Sequence, residues 1–361
     1  MDFTIDSEQK ALRDAVRELA ARRPAPESTS GTPVGPQPHD PTLWSELAEM
    51  GVLGLTVPEE HGGMGATPVE LMLAVQELGR ARVLSALAPS TVAASLLEQL
   101  GSAEQQKLLG SVADGSALVV PALYEPGRTF SLQAYDVSAS ESDGAWTLSG
   151  TKAPVPYAAD AAAVLVTARA GESTGVFLVR DPQVSGDALV LDGTPAEPLG
   201  SVDAAGDALE RAAALGMVVL CAEALGAMES ALTMTTDYLK QRKQFGVPLA
   251  AFQTLTHRAA DMYVSVELAR SATQFAAMVA AEDRGQTEAI RRARVAVGKA
   301  ARHVGQEAIQ LHGGIGMTAE YAVGHLTTRL TAIEHELGDT RQHVAALART
   351  VGDHEAVDVF A

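Results

Sequence analysis

The strongest constraint on the fold is a helical pattern that occupies almost the whole of residues 208–347. Apolar residues recur there at spacings of three and four, which is the period of one helix face. The two clearest stripes are Leu255, Ala259, Met262, Val266 and Ala269, and then Ile290, Ala293, Val297, Ala300, Val304, Ala308 and Leu311. Helices with such stripes bury them against one another, so this part of the chain predicts a bundle on the scale of four helices.

A strand pattern precedes the bundle. Short apolar runs, separated by Gly, Asp and Pro, occupy residues 117–120, 146–149, 163–167, 176–179 and 188–191 and are typical of a small β domain. The first 114 residues are mainly helical in pattern, beginning with a helix that Asp6 or Ser7 can cap; a Pro/Ser/Gly-rich stretch at residues 24–41 predicts a loop. The predicted class is a multidomain α+β protein with domains 1–115, 116–205 and 206–361.

Composition limits the partners. The 361 residues carry a formal net charge of -18, which argues against nucleic acid and against an anionic membrane surface. Cys221 is the only cysteine, so an intrachain disulfide is impossible and a cytosolic compartment is expected. The longest apolar run, residues 215–228, contains Glu223 and is too short to span a bilayer. We therefore expect a cytoplasmic protein that binds neither nucleic acid nor membrane, with this run as a buried helix.

Two motifs stand at predicted helix ends. Residues 242–246 read Arg-Lys-Gln-Phe-Gly, where the Arg242 guanidinium can hold a pyrophosphate, Gln244 can bind a nucleotide and Phe245 can pack on a ring. Residues 310–318 read Gln-Leu-His-Gly-Gly-Ile-Gly-Met-Thr, whose glycines let the backbone approach a phosphate or ribose closely. Taken alone, the first motif is better explained as an ordinary helix C-cap, and the glycines of the second motif alone do not outweigh the same explanation. The histidines His257, His303, His312 and His325 form no metal-ligand set on one helix face, so no metal is predicted.

Together the motifs resemble those of the acyl-CoA dehydrogenase family. The resemblance also includes Phe-Gln at residues 252–253, Pro-Glu-Glu-His-Gly-Gly-Met-Gly at residues 58–65, Glu-Leu-Gly-Arg at residues 77–80 and Glu320-Tyr321, and so covers almost the whole chain. It implies a helical N-terminal domain, a middle β-barrel or sandwich domain and a C-terminal four-helix bundle, assembled as a tetramer with FAD across a subunit contact. The FAD-binding residues that it implies are Arg242, Gln244, Phe245, Gln253, Gln310, Gly313 and Gly314.

The chain departs from the family at the catalytic base. The family's glutamate, which removes the α proton while the β hydride passes to the flavin, usually stands just before a Gly-Thr. Here residues 334–340 read Glu-His-Glu-Leu-Gly-Asp-Thr, so Leu337 occupies the base position. Glu334 and Glu336 lie nearby, but their pattern is typical of a solvated acidic helix end. The base position of other family members falls near Gly216, and no carboxylate follows before Glu223.

The segments that should face the flavin ring also differ. Residues 124–130 read Tyr-Glu-Pro-Gly-Arg-Thr-Phe, where the family usually reads Thr-Glu-Pro-Gly-Ala-Gly-Ser-Asp. After Gly-Thr-Lys at residues 150–152, the family's Trp-Ile-Thr-Asn is replaced by Pro-Val-Pro-Tyr, and Pro156 stands in the place of the threonine. Proline offers neither a hydroxyl nor a backbone N–H to a flavin.

The retained and lost motifs together resemble the non-catalytic, β-type subunit of actinobacterial α2β2 acyl-CoA dehydrogenases that act on steroid side-chain CoA esters. That resemblance implies a homologous catalytic partner, an acyl-CoA substrate and an electron-transfer flavoprotein. Two alternatives remain open. One is a self-sufficient homotetrameric dehydrogenase with a displaced base at Glu336 or Glu334. The other is a flavin-free structural partner.

Overall fold

The computed structural model describes residues 4–23, 39–283, 285–318 and 321–353. Its helices are α1 (Ser7–Ala21), α2 (Pro41–Glu49), α3 (Pro68–Arg80), α4 (Leu87–Leu100), α5 (Lys107–Ala113), α6 (Ala205–Gln241), α7 (Gln253–Glu282), α8 (Thr287–His312), α9 (Ala322–His335) and α10 (Thr340–Thr350). Its strands are β1 (Val119–Ala122), β2 (Ser138–Ser142), β3 (Ala145–Lys152), β4 (Ala163–Ala170), β5 (Ser173–Arg180), β6 (Val184–Ser185), β7 (Ala188–Pro198), β8 (Lys243–Gln244) and β9 (Val247–Pro248).

The N-terminal helices begin where a side chain satisfies the free N–H groups of the first turn. Asp6, one of the two predicted caps, accepts hydrogen bonds from the N–H groups of Glu8 and Gln9 at 2.8 Å. Asp40 caps α2 in the same way, and Pro41 is the first residue of that helix. The predicted loop 24–41 is therefore wrong at its last residue, while residues 24–38 of that prediction, like Glu320, lie outside the described residues.

The middle strands form a closed barrel. The strand order is β1-β4-β2-β3-β7-β5, and β4 also pairs with β5, so the sheet returns on itself. The five apolar runs of the sequence fall on β1, β3, β4, β5 and β7, whereas β2 was missed because its residues are exposed or half-buried and mostly polar. Inside the barrel, Lys152 Nζ donates to Glu125 Oε1 at 3.0 Å and to Thr167 Oγ1 at 2.9 Å.

In the C-terminal helices, α6 and α8 run parallel and α7 runs antiparallel to them. The first turns of α6 and α8 are joined by the ion pair of Glu210 with Arg291. Near the last turns of the same helices, the rings of Tyr238 and His312 lie 4.5 Å apart. Arg258, near the start of α7, donates to Glu307 at 2.9 Å near the end of α8. The end of α6, the start of α7 and the end of α8 therefore share one end of the bundle.

Helix α6 is the central helix of the molecule. Its length and composition would suffice to cross a membrane, but 94% of its most apolar window is buried. The helices α3, α4, α7, α8 and α9 pack around it. The apolar run at residues 215–228 is a buried helix, as predicted, because its hydrophobic surface is covered by protein.

Candidate functional site

One group of predicted residues lies on an exposed surface at the shared end of α6, α7 and α8, which we name the bundle-end surface. It consists of Arg242, Gln244, Phe245, Gln253, Gln310, Gly313 and Gly314, all of them exposed. The strands β8 and β9 form a hairpin whose turn residues Phe245 and Gly246 have φ values of 52° and 83°. The turn presents the Phe245 side chain to solvent, with 92% of its surface exposed.

The glycine motif completes this surface. Helix α8 ends at His312, its C-cap residue Gly313 has a φ of 65°, and a short 3-10 turn, Gly313–Met317, follows. A Cβ atom on Gly313 or Gly314 would meet nothing within 4 Å, so the backbone here is open to a ligand. The Arg242 guanidinium makes no ion pair with any residue in the described part of the chain. A free guanidinium, side-chain amides and open backbone suit a phosphate-bearing nucleotide.

His312 of the same motif has a structural role instead. Its ring lies 4.5 Å from that of Tyr238 and 5.0 Å from that of Tyr321, and its Nδ1 is 2.8 Å from the Ala308 carbonyl oxygen. Burial lowers the pKa of His312, although hydrogen bonds to the Ala308 and Met234 backbone act in the opposite direction. The aromatic stack holds the ends of α6 and α8 together.

A second candidate site is a cavity of about 540 Å³ enclosed by α3, α4, α6, α9 and the edge of the barrel. Its volume falls within the range of roughly 300–1,000 Å³ that small-molecule sites occupy. Val92, Leu220 and Leu337 are buried lining residues, while Ala332 and His335 are exposed at the mouth. Most of the lining is apolar, and its charged groups are few.

An ion triad of Arg329, Glu223 and Glu336 forms one wall of the cavity. Arg329 Nη2 donates to Glu223 Oε2 at 2.8 Å, and the same guanidinium contacts the Glu336 carboxylate. Burial alone would lower the pKa of Arg329, but the two carboxylates raise it well above its usual value. The sequence did not reveal this triad because Arg329 and Glu223 are 106 residues apart in the chain.

The two acidic residues before Leu337 are not a solvated helix end. Glu336 lines the cavity and pairs with Arg329. Glu334 is buried outside the cavity lining, where its Oε1 accepts a hydrogen bond from the Thr340 N–H at 3.0 Å and its Oε2 lies 4.0 Å from Arg294 Nη1. The prediction of a solvated pair was wrong, because Glu336 pairs with Arg329 from an earlier turn of α9 and Glu334 pairs with Arg294 from α8.

Leu337, which lines the cavity, lies against Gly216 of α6. A Cβ atom on Gly216 would stand only 2.6 Å from Leu337 Cδ1, so the leucine side chain occupies the space that Gly216 leaves free. Leu337 has a φ of 53°, and its N–H donates to the Tyr124 hydroxyl oxygen at 2.7 Å. Neither glycine nor leucine has a side-chain group that can accept a proton.

Comparisons with known proteins agree with this architecture. The family described as "Acyl-CoA dehydrogenase, N-terminal domain" matches residues 6–116, and "Acyl-CoA dehydrogenase, C-terminal domain" matches residues 207–352. Acyl-CoA dehydrogenase FadE12 of Mycobacterium tuberculosis is 31% identical over 334 residues, which are 83% of this chain and 86% of the relative. The chain belongs to the acyl-CoA dehydrogenase family.

Solved structures match along almost the whole chain. A variant of the Tcur3481-Tcur3483 steroid ACAD is 31% identical with a TM-score of 0.84, covering 96% of this chain and 98% of the other. A chain of the ChsE4-ChsE5 complex from Mycobacterium tuberculosis is 26% identical with a TM-score of 0.85, covering 99% and 100%. Butyryl-CoA dehydrogenase from Megasphaera elsdenii, 24% identical with a TM-score of 0.87, has the same fold. The predicted order of helical, β and helical domains is confirmed, while their exact bounds stay a prediction.

The barrel side of the cavity offers few hydrogen-bond donors to a flavin ring. Pro121, Pro154 and Pro156 line the cavity from the barrel side, and proline has no N–H to donate to the polar edge of an isoalloxazine. Tyr124, the neighbouring polar group, already binds Leu337 through its hydroxyl oxygen, and burial raises its pKa to about 12. The rings of Tyr124 and Phe130 lie 5.4 Å apart, and the Phe130 carbonyl oxygen accepts a hydrogen bond from the Gln342 side chain of α10 at 2.9 Å, so this segment lies against α10.

Glu125, in the Glu-Pro-Gly segment, has a structural role in the barrel. The Glu125 carboxylate accepts hydrogen bonds from the N–H groups of Tyr135, Asp136 and Val137 and from Lys152. Burial raises the pKa of Glu125, but these hydrogen bonds and the lysine outweigh it and lower the pKa overall. Glu125 and Lys152, one residue from each of the two motifs, thus hold the barrel together.

Proposed function

We propose that this chain is the non-catalytic, β-type subunit of an α2β2 acyl-CoA dehydrogenase. The observation that carries the proposal is the contact of Leu337 with Gly216. Both positions where a family base could stand are apolar, and the Leu337 side chain fills the space beside Gly216. A homologous α chain supplies the catalytic glutamate and the site of the flavin ring. FAD, when bound, supplies the hydride acceptor, and this chain's residues bind the part of FAD remote from the ring.

The bundle-end surface is the proposed contact to FAD. Arg242 and the open backbone at Gly313 and Gly314 would hold the pyrophosphate, while Gln244, Gln253 and Gln310 would bind the adenosine part. Phe245 supports this role, since a side chain with 92% of its surface exposed buries apolar area only when a second molecule covers it.

The relatives support the assembly and the substrate class. One solved neighbour is described as the ChsE4-ChsE5 complex and another as a steroid ACAD. We infer that the substrate of the complex is a bulky acyl-CoA such as a steroid side-chain thioester. The catalytic glutamate of the partner subunit would take the α proton, FAD when bound would supply the acceptor for the β hydride, and an electron-transfer flavoprotein in the cytoplasm would accept the electrons from the complex.

The test is the FAD content of the complex. The chain purified alone should carry little flavin and no activity, whereas co-purification with its catalytic partner should give an active yellow tetramer. Arg242→Ala should lower the FAD content of that tetramer, because the pyrophosphate loses its guanidinium. Arg341→Ala, which removes an exposed arginine outside both candidate sites, is the matched control. A yellow, active homotetramer of this chain alone would refute the proposal.

A second candidate is a self-sufficient homotetramer with Glu336 as the base. It is favoured by the position of Glu336, whose carboxylate lines the cavity, whereas Glu334 does not. Taking up a proton would require Glu336 to give up its ion pair with Arg329. If turnover in an active preparation of the chain alone is abolished by Glu336→Gln and not by Glu334→Gln, this reading holds. The third reading, a flavin-free structural partner, requires that Arg242→Ala leave the FAD content unchanged.

A further inference from the structure

Arg82 is the starting point of a separate inference about the cavity. Its half-buried side chain lines the cavity just after the end of α3. The guanidinium makes no hydrogen bond or ion pair with any residue that the structure describes. This contrasts with Arg329 in the same cavity, which is bound by two carboxylates. A partly desolvated guanidinium without a partner is unfavourable unless something else supplies the negative charge.

The carboxylates near the end of α3 are already committed to other arginines. Glu77 binds Arg17 at 2.9 Å and Arg80 at 3.1 Å. Glu229 pairs with Arg80 and Arg270 and accepts from Gln76 at 3.0 Å. Glu223, whose backbone contacts α3 at Gly79, belongs to the Arg329 triad. Arg82 is therefore the cation left over from a local network in which each acid has a partner.

The rest of the cavity determines what an anionic ligand there would look like. Leu84, Ala88, Pro89 and Leu220 give the same cavity an apolar lining, and its volume of about 540 Å³ accommodates a body of acyl or polycyclic size. The triad has one arginine for two carboxylates and so repels a second negative group. A ligand with one anionic end and an uncharged, apolar remainder matches both features.

We propose that the cavity binds an apolar molecule with a single carboxylate, which Arg82 holds through paired N–H···O hydrogen bonds. A guanidinium matches a carboxylate in two parallel hydrogen bonds, which gives the site both affinity and direction. The site needs neither a flavin nor a thioester, and it uses none of the bundle-end residues. It therefore goes beyond the proposed function and is independent of it.

Calorimetric titration of the purified full-length chain, alone and in its complex, tests the site. The probes are dodecanoate, as a straight-chain carboxylate, and cholate, as a polycyclic one; dodecan-1-ol and dodecylammonium have the straight chain with a neutral and a cationic end. Saturable binding of either carboxylate is expected, and which of the two binds identifies the shape of the natural ligand. Absence of binding by both, or tighter binding of dodecylammonium, would overturn the proposal.

Three variants locate the site. Arg82→Met should weaken binding of the carboxylate by about 10- to 100-fold and leave dodecan-1-ol binding unchanged, as expected for a charge-assisted hydrogen bond. Arg341→Met is the matched control and should bind like the unaltered chain. Ala332→Trp, at the cavity mouth, should block all probes, which separates the cavity from non-specific surface binding. If Arg82→Met or Ala332→Trp binds the carboxylate as tightly as the unaltered chain does, the site is refuted. The FAD content of the complex should be unchanged in Arg82→Met, because the bundle-end surface does not include Arg82.

Discussion

At the scale of single residues, two positions stand out in the resemblance to acyl-CoA dehydrogenases. Leu337 stands at the position that aligns with the family's base, and Pro156 stands at the position that aligns with a threonine, so neither side chain can accept a proton or donate a hydroxyl hydrogen bond. The cavity also contains charges that could not be predicted from the sequence, because Glu223, Arg329 and Glu336 come together only in the folded chain. These charges and the buried His343 should therefore affect the free energy of unfolding.

Removal of the cation from the triad should destabilise the fold. Arg329→Met leaves Glu223 and Glu336 facing each other, and we expect the free energy of unfolding to fall by about 2 kcal/mol, less than for a fully buried pair because the cavity mouth admits water. Urea denaturation measures the loss, and adding Glu223→Gln should recover part of it. A loss no larger than that of the surface control Arg341→Met would contradict the role of the triad.

His343 should make stability depend on pH. Burial, followed by the nearby Arg294 and Arg291, lowers its pKa to about 4, from about 6.5 in the unfolded chain. As the pH falls from about 6.5 to 4, the unfolded chain takes up a proton that the folded chain does not, so the free energy of unfolding falls by up to about 3 kcal/mol.

The measurement for His343 is a difference between two proteins. The free energy of unfolding of the unaltered chain and of His343→Gln is followed by urea denaturation across this pH range, so that carboxylates common to both cancel. The unaltered chain should lose more stability towards low pH than the variant. Parallel curves would mean that His343 does not control acid stability.

At the scale of elements, close backbone contacts decide how the helices sit. A Cβ atom on Gly226 of α6 would lie 2.0 Å from the Gln76 carbonyl oxygen of α3, and one on Gly79 would lie 2.3 Å from the Glu223 carbonyl oxygen. These glycines let α3 and α6 touch backbone to backbone. Arg82 follows α3 and Glu223 belongs to α6, and both line the cavity. The close packing of α3 on α6 therefore helps to define the cavity wall.

The glycine contact can be tested within one helix. Gly226→Ala should lower the free energy of unfolding by about 3 kcal/mol, because the clash is with backbone atoms that cannot rotate away. Gly206→Ala, in the same helix α6 but with nothing within 4 Å of the new Cβ, should instead be neutral or stabilise by up to about 1 kcal/mol. Thermal or urea unfolding of both variants is the measurement, and equal effects would refute the packing argument.

At the scale of the whole molecule, the chain has two separate candidate sites with different environments. The bundle-end surface is open and lies at the ends of three helices, whereas the cavity is enclosed between the bundle, the N-terminal helices and the barrel. The first is incomplete without a second subunit if the proposed function is correct. The second is a pocket of this chain alone.

This separation predicts an effect that appears only in the assembly. Phe245→Ala should change the unfolding free energy of the isolated chain by less than about 0.5 kcal/mol, because the side chain is 92% exposed. In the complex with the catalytic partner, the same variant should weaken FAD retention by about tenfold, as expected for the loss of about 1.4 kcal/mol of apolar contact. FAD retained after gel filtration gives the second quantity. Loss of stability in the isolated chain, or unchanged FAD retention, would contradict an intermolecular role of Phe245.

Local features of the fold were readable from the sequence. The Asp6 cap, the stripes on α7 and α8 and the helix stop at Gly313 depend on residues within a few positions of each other. Strands with apolar runs were found for the same reason, and polar β2 was missed. Grouping the motifs at 242–246 and 310–314 required the resemblance to a family, since neither motif alone differs from an ordinary helix end.

The amino-acid sequence by itself determined which helix faces are apolar, where several helices are capped or stopped and where the apolar strand segments lie, because periodicity, capping and residue chemistry are properties of neighbouring residues. That Leu337 stands at the base position followed from the resemblance to the acyl-CoA dehydrogenase family. Only the tertiary structure decided that Leu337 fills the space beside Gly216, that Arg329 joins Glu223 to Glu336, and that Arg82 has no partner among the residues that the structure describes. Those contacts join residues up to 121 positions apart, counted from 216 to 337, and depend on how rigid helices and a barrel pack in three dimensions.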